Sequence, residues 1–125
     1  MSDEGGQGLV MGVSQIDGTL AALADPQRRR ALELLHEGPM PAGELSRAVG
    51  IAPPAMSRHL KVLRASGLVE EFHPESDARV RIYTLRPGPM VELEAWLSRM
   101  QAAWGGQMES FKAHVEGSRS RTEAR

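Results

Sequence analysis

Ser57, Arg58, Lys61 and Arg64 are the residues of this chain whose types and spacing could do chemistry together. Their types suit a polyanion. A guanidinium pairs bidentately with guanine, a hydroxyl bonds a base edge or a phosphate, and an ammonium suits a phosphate. They interleave with Met56, Leu60 and Leu63, whose i, i+4, i+7 spacing makes one apolar stripe of a helix. The polar set then falls largely on the opposite side. From Ser46 to Ser66 the cations are Arg47, Arg58, Lys61 and Arg64, and no acid stands among them. An acid there would repel the phosphates of a duplex. His59 borders the same face and is counted with the candidate phosphate contacts, although its place beside Met56 and Leu63 also suits an internal hydrogen bond.

Catalysis is not the chemistry these residues support. Ser57 and His59 are two apart on a helix and do not face each other, so no nucleophile–base pair forms. No glycine-rich phosphate loop follows a strand, and no paired carboxylates occur in a defensible setting. Cysteine is absent, which removes thiolate metal sites and thiol catalysis. His36, His59 and His73 lack ligand spacing, and His114 with Glu116 falls short of the roughly four ligands zinc takes. The expectation is a non-enzyme without metal or cofactor.

The 125 residues suit one domain, and a net charge of −1 shows that the basic stretch is local rather than global. No apolar run approaches the ~18 residues of a membrane span. The acidic start, MSDEGGQG, differs from a basic secretion signal. A cytoplasmic protein that does not enter membranes is expected.

The elements that must position the basic face read as follows. Residues 1–14 form a disordered tail and 117–125 a flexible one, leaving 15–116 as the folded domain. A first helix covers Ile16 to Ala24, with Ile16, Leu20 and Leu23 on one stripe. Asp25-Pro26 caps and opens a second, which runs to about Glu37 with Ala31, Leu34 and Leu35 inward. Arg28, Arg29 and Arg30 point three ways around it, so at least one lies near another surface. A third helix runs from Ala42 to Val49, with Leu45, Ala48 and Val49 apolar, and Gly50 supplies a left-handed turn. The basic helix occupies 53–66. Leu68 to Phe72 and Arg79 to Leu85 then make a hairpin around a polar tip. A last helix runs from about Pro89 toward Val115, interrupted by Gly105-Gly106. The fold class is therefore mainly α with a small β-hairpin: a winged helix-turn-helix with a long C-terminal helix.

"LADPQRRRALELL", "GELSRAVGIAPPAMSRHLKVLRASGLVEE" and "RVRIYTL" together resemble the ArsR-type winged helix-turn-helix transcription regulators, over about residues 20–86. The resemblance implies a homodimeric repressor that binds a palindromic operator in double-stranded DNA, with residues 53–66 as recognition helix. It also implies a dimer built from the first and last helices. Pro53 and Pro54 stand where many members carry base-reading polar residues. The wing tip is Glu75-Ser76-Asp77-Ala78 where the family usually has Gly-Arg, with Arg79 and Arg81 following as the wing's candidate DNA contacts. The dimer seam expected here combines Ile16, Leu20 and Leu23 with Leu93, Trp96, Leu97, Met100, Trp104, Met108 and Phe111. Trp96 and Trp104 could instead wall a pocket for a small-molecule effector, which methionines nearby would make adaptable. The rival to DNA binding is a winged-helix protein-interaction module that turns its basic face to an acidic partner.

Overall fold

The computed structural model describes the backbone of residues 15–123 and the side chains of residues 15–118 apart from Met108. The tail expected over residues 1–14 lies outside the described residues. In chain order the elements are α1 (15–23), α2 (Pro26–His36), β1 (Met40–Pro41), α3 (Ala42–Val49), α4 (Pro53–Ala65), β2 (Val69–Phe72), β3 (Ile82–Leu85) and α5 (Gly88–Glu123).

The α1–α2 corner is built from Asp25 and the arginines behind it. Asp25 Oδ1 accepts from the Gln27 and Arg28 amides at 2.8 and 3.1 Å, capping α2, and Pro26 opens the helix where a missing N–H costs nothing. The three arginines do diverge. Arg28 donates back to the α1 carbonyls of Ala22 (2.7 Å) and Ala21 (2.9 Å), Arg29 to that of Leu23 (2.6 Å), and Arg30 pairs with Glu33. The last carbonyls of α1 lack intrahelical donors, so two cations satisfy them and complement the helix dipole.

Helix α3 packs with α4 through a tight turn. Gly50 sits at φ +81° and its N–H reaches the Ser46 carbonyl at 2.9 Å. The inward stripe of α3 is Ala42, Leu45, Ser46 and Val49, which is an i, i+3, i+4, i+7 series. Ala48, though apolar, is exposed, and Ser46 takes a buried place with its hydroxyl unpartnered. Helix geometry overrode side-chain polarity, because the two turns leave no other face to present.

Helix α4 ends in a Schellman motif. The Leu68 N–H donates to Leu63 O and the Gly67 N–H to Arg64 O, each at 3.0 Å, with Gly67 at φ +76°. The accompanying apolar contact of this motif falls between residues that are both buried, Leu63 and Leu68. The turn aims the chain into β2.

The sheet has three antiparallel strands in the order β1-β3-β2, with Glu71 opposite Tyr83. The sequence pattern predicts a two-stranded hairpin. Strand β1, only Met40 and Pro41, escaped it because two residues show no alternation. Strand β3 begins at Ile82 and not at Arg79. Asp77 Oδ1 accepts from the Arg79 amide at 3.0 Å and holds this segment in a local turn. Met56, Leu60, Leu63, Leu68 and Tyr83 are almost fully buried and form the centre of the core, with Ala31, Leu35 and Leu45 around them.

Residues up to Leu93 form one compact unit and those from Glu94 a second. In the first, Leu93 is buried, Ile16 and Leu23 are half-buried and Leu20 is 46% exposed. In the second, α5 is broken at Gly105 (φ 0°, ψ −87°), within the glycine pair where an interruption was expected, and it continues to Glu123. There Trp96 and Met100 are half-buried, while Leu97, Trp104, Phe111 and Val115 are exposed. The side chain of Met108 lies outside the described residues.

Burial of the α4 seam is what fixes its orientation. Leu60 is 1% exposed and Val62, two residues on, 39%. Leu60→Ala should lower unfolding free energy by about 2–5 kcal/mol. Val62→Ala should stay within about 0.5 kcal/mol. Urea denaturation of the two variants measures both.

Candidate nucleic-acid interface

With Met56, Leu60 and Leu63 facing inward, the rest of α4 divides into two flanks and one bare face. On the flank toward the α1–α2 corner, His59 Nε2 lies 2.8 Å from Gln27 Oε1, and its Nδ1 lies 3.3 Å from Arg28 Nη1. Arginine only donates, so Nδ1 accepts and the ring proton sits on Nε2, donating to Gln27. Asp25 stands 3.9 Å from Nε2. Burial pushes the Asp25 carboxyl up, but the Arg28 and Gln27 amides and the nearby His59 and Arg28 together hold it below its ordinary value. His59 therefore ties α4 to the corner. Its side chain is turned from the basic face, with which the sequence pattern groups it, toward the corner.

On the other flank the wing takes hold. Arg81 Nη2 donates to Ser57 Oγ at 3.3 Å. Arg64 Nη1 donates to Glu71 Oε2 at 3.1 Å, and the Tyr83 hydroxyl donates to the same oxygen at 2.5 Å. His73 Nε2 lies 3.1 Å from Glu71 Oε1. Glu71 is thus a hub joining α4, β2 and β3. The Tyr83 hydrogen bond, with Arg64 and His73 beside it, outweighs burial and holds the Glu71 carboxyl below its ordinary value. Its contribution to stability is present at neutral pH and is lost as pH falls through that depressed value. The sequence carried a signal for this pair, a glutamate and the chain's lone tyrosine at facing positions of a hairpin, but hairpin register was needed to use it.

At the wing tip Arg79 Nε lies 3.3 Å from Asp77 Oδ1, and the Arg79 side chain is 93% exposed. The bare face of α4 is left with Pro54, Arg58 and Lys61 at i, i+4, i+7 spacing, all exposed. Among the described residues, Arg58 and Lys61 have neither an acid partner nor a side-chain hydrogen bond. The seven candidate contacts thus separate. Arg58 and Lys61 stand free, Ser57 is engaged by Arg81, Arg64 by Glu71 and Arg79 by Asp77, and His59 faces inward. Among the described residues no group of three or more His, Asp or Glu could hold a metal ion, and no helix is long and apolar enough to cross a membrane.

The model of the bacterial regulatory proteins of the arsR family matches residues 25–71, the stretch from the α2 cap through the Glu71 hub. The HTH-type transcriptional regulator Rv2034 of Mycobacterium tuberculosis is 42% identical over 78 residues, which are 62% of this chain and 70% of that protein. This chain belongs to the ArsR family. The crystal structure of an ArsR family transcriptional regulator, RHA00566, shares 34% identity and superposes with a TM-score of 0.66, covering 73% of this chain and 91% of that one. The transcriptional repressor SdpR of Bacillus subtilis is 36% identical over 50 residues, 40% of this chain and 56% of its own. The ArsR-family chain described here is a winged helix-turn-helix, DNA-binding transcriptional regulator and not an enzyme.

The hub has a readout of its own, because Tyr83 is the only tyrosine in the chain. Burial, and then the Glu71 carboxylate that accepts its hydrogen bond, raise the Tyr83 phenol from 10.0 to about 12. A raised value stabilises the fold below the unfolded phenol's pKa and is lost as pH rises through the folded one. Ultraviolet titration of the phenolate should give a midpoint near 12, and Glu71→Gln should move it toward 10.0. A midpoint of 10.0 in the unaltered protein would contradict the hub.

Proposed function

We propose that the protein is a homodimeric repressor that lays α4 in the major groove of each half of a palindromic operator. The observation that carries this reading is the bare face of α4. Every other cation of the helix and wing named above has an intramolecular partner, whereas Arg58 and Lys61 project without one. Unpaired cations of one sign on a helix held from three sides are suited to a polyanion, because no internal ion pair has to be broken on binding. Arg58 lies nearer the start of the helix, where recognition helices meet base edges, and Lys61 one turn on, beside the backbone. Ser57 and Arg81 act as a linked pair at the groove's edge. Arg64 and Arg79 add charge to the DNA side while already bound to Glu71 and Asp77. Repression is supported by the repressors among its relatives.

Arg58→Ala and Lys61→Ala separate the two roles. Loss of a base contact should cost about 1–3 kcal/mol on the preferred sequence and little on scrambled DNA. Loss of a phosphate contact should weaken both and reduce the salt slope by about one. The variants are titrated against an operator selected from a random duplex pool and against its scramble, over a salt series. Unchanged binding of both variants to every duplex would give the basic face to an acidic protein instead.

Dimerisation is supported by apolar surface left open on the terminal helices. Leu20 on α1 is 46% exposed, and on α5 Leu97 is 45%, Trp104 55% and Phe111 68% exposed. Aromatic residues of this kind are enriched at interfaces. Sedimentation at micromolar concentration should find a dimer, and Trp104→Glu combined with Phe111→Glu should yield a monomer that binds the operator more weakly. A monomeric parent protein would remove the palindrome from the proposal.

A further inference from the structure

The bare face of α4 begins with residues that can neither give nor take a hydrogen bond through their side chains. Ala52, Pro53 and Pro54 are all exposed. The prolines have no N–H. The next two amides are already committed, Ala55 to the Ala52 carbonyl at 3.0 Å and Met56 to the same oxygen at 3.1 Å. Ala52 caps without a side-chain bond. One proline in the first turn meets the ordinary preference of a helix start. Here two occur, and both face out. A ligand that meets this turn finds apolar surface and no free amide from Ala55 or Met56.

In the major groove only one base edge offers an apolar group, the C5-methyl of thymine. The edges of guanine, adenine and cytosine present donors and acceptors, which proline would strip of water without replacing their hydrogen bonds. Pro54 lies one helical turn from Arg58 on the same outward line, about 5–6 Å away. Base pairs are spaced about 3.4 Å apart. We propose that Pro54, flanked by Ala52 and Pro53, is a specificity-determining residue that reads a thymine methyl within about two base pairs of the base met by Arg58. The recognition helix then reads by two chemistries in series, a methyl contact from its first turn and a hydrogen-bonding cation from its second. The preference comes as much from rejecting polar edges as from attracting the methyl.

This rests on α4 being the element that enters the groove, and the test separates the two. The selected operator is resynthesised with deoxyuridine replacing thymidine at one position at a time, which removes the methyl and leaves every hydrogen-bonding group in place. Burial of a methyl-sized group is worth about 0.8 kcal/mol, or roughly fourfold in affinity. One position per half-site, within about two base pairs of the position relaxed by Arg58→Ala, should lose roughly fourfold. Substitution in both halves should lose more than tenfold. Pro54→Ser should bind uridine and thymidine duplexes equally at that position while keeping its preference at the Arg58 position, which also shows that the variant is folded. Equal affinity for uridine and thymidine at every position would overturn the methyl reading and leave the placement of α4 standing. A uridine effect that persists in Pro54→Ser would move the contact to another residue and overturn the assignment. Failure to select any sequence, with Arg58→Ala also silent, would overturn both.

Discussion

A helix that must touch another molecule has to be held by everything except the face it uses. That constraint organises residues 15–93. The seam of Met56, Leu60 and Leu63 fixes the rotation of α4 about its axis, since all three are at most 1% exposed. A seam alone leaves a helix free to rock. The flanks remove that freedom, His59 by bonding the α1–α2 corner and Arg64 with Ser57 by bonding the wing. The ties are polar and directional, whereas the seam is apolar and tolerant of small shifts, so the two kinds of contact divide orientation between them.

The ties also set where charge is available. Arg64 is spent on Glu71, and Glu71 in turn needs Tyr83 and His73 around it to remain ionised at low cost. The wing is thus held to α4 by charge, and the basic face is narrowed to the two cations that no acid pairs among the described residues. Arg28 plays the corresponding part behind the helix, satisfying two carbonyls of α1 and fixing the tautomer of His59 with the same guanidinium.

Much of this arrangement was legible in the sequence wherever the signal was local. The bounds of α3, the Asp25 cap, the Gly50 turn and the buried seam of α4 all follow from residues within one or two turns of each other. The divergence of Arg28, Arg29 and Arg30 was also readable from helical geometry. What escaped depends on distance or brevity. His59 finds Gln27 across 32 positions and Glu71 finds Tyr83 across 12, and neither pairing has a sequence period to announce it. Strand β1 is too short to alternate, and the Asp77 turn took Arg79 and Arg81 out of the strand that β-propensity assigned them. Ser46 is buried for a different reason: its place on a two-turn helix puts it in despite its polarity.

The small sheet has a consequence for how copies of the chain can meet. Strand β3 is in the middle, so among the described residues the free edges belong to β1 and β2. The β1 edge is two residues long, and one of them, Pro41, has no amide to offer. The β2 edge carries Glu70 and Glu71 in a run of four. An abbreviated edge on one side and an acidic one on the other deny a neighbouring chain any template for backbone pairing. A regulator concentrated on DNA brings many copies into close quarters. Its wing is protected there against edge-to-edge aggregation.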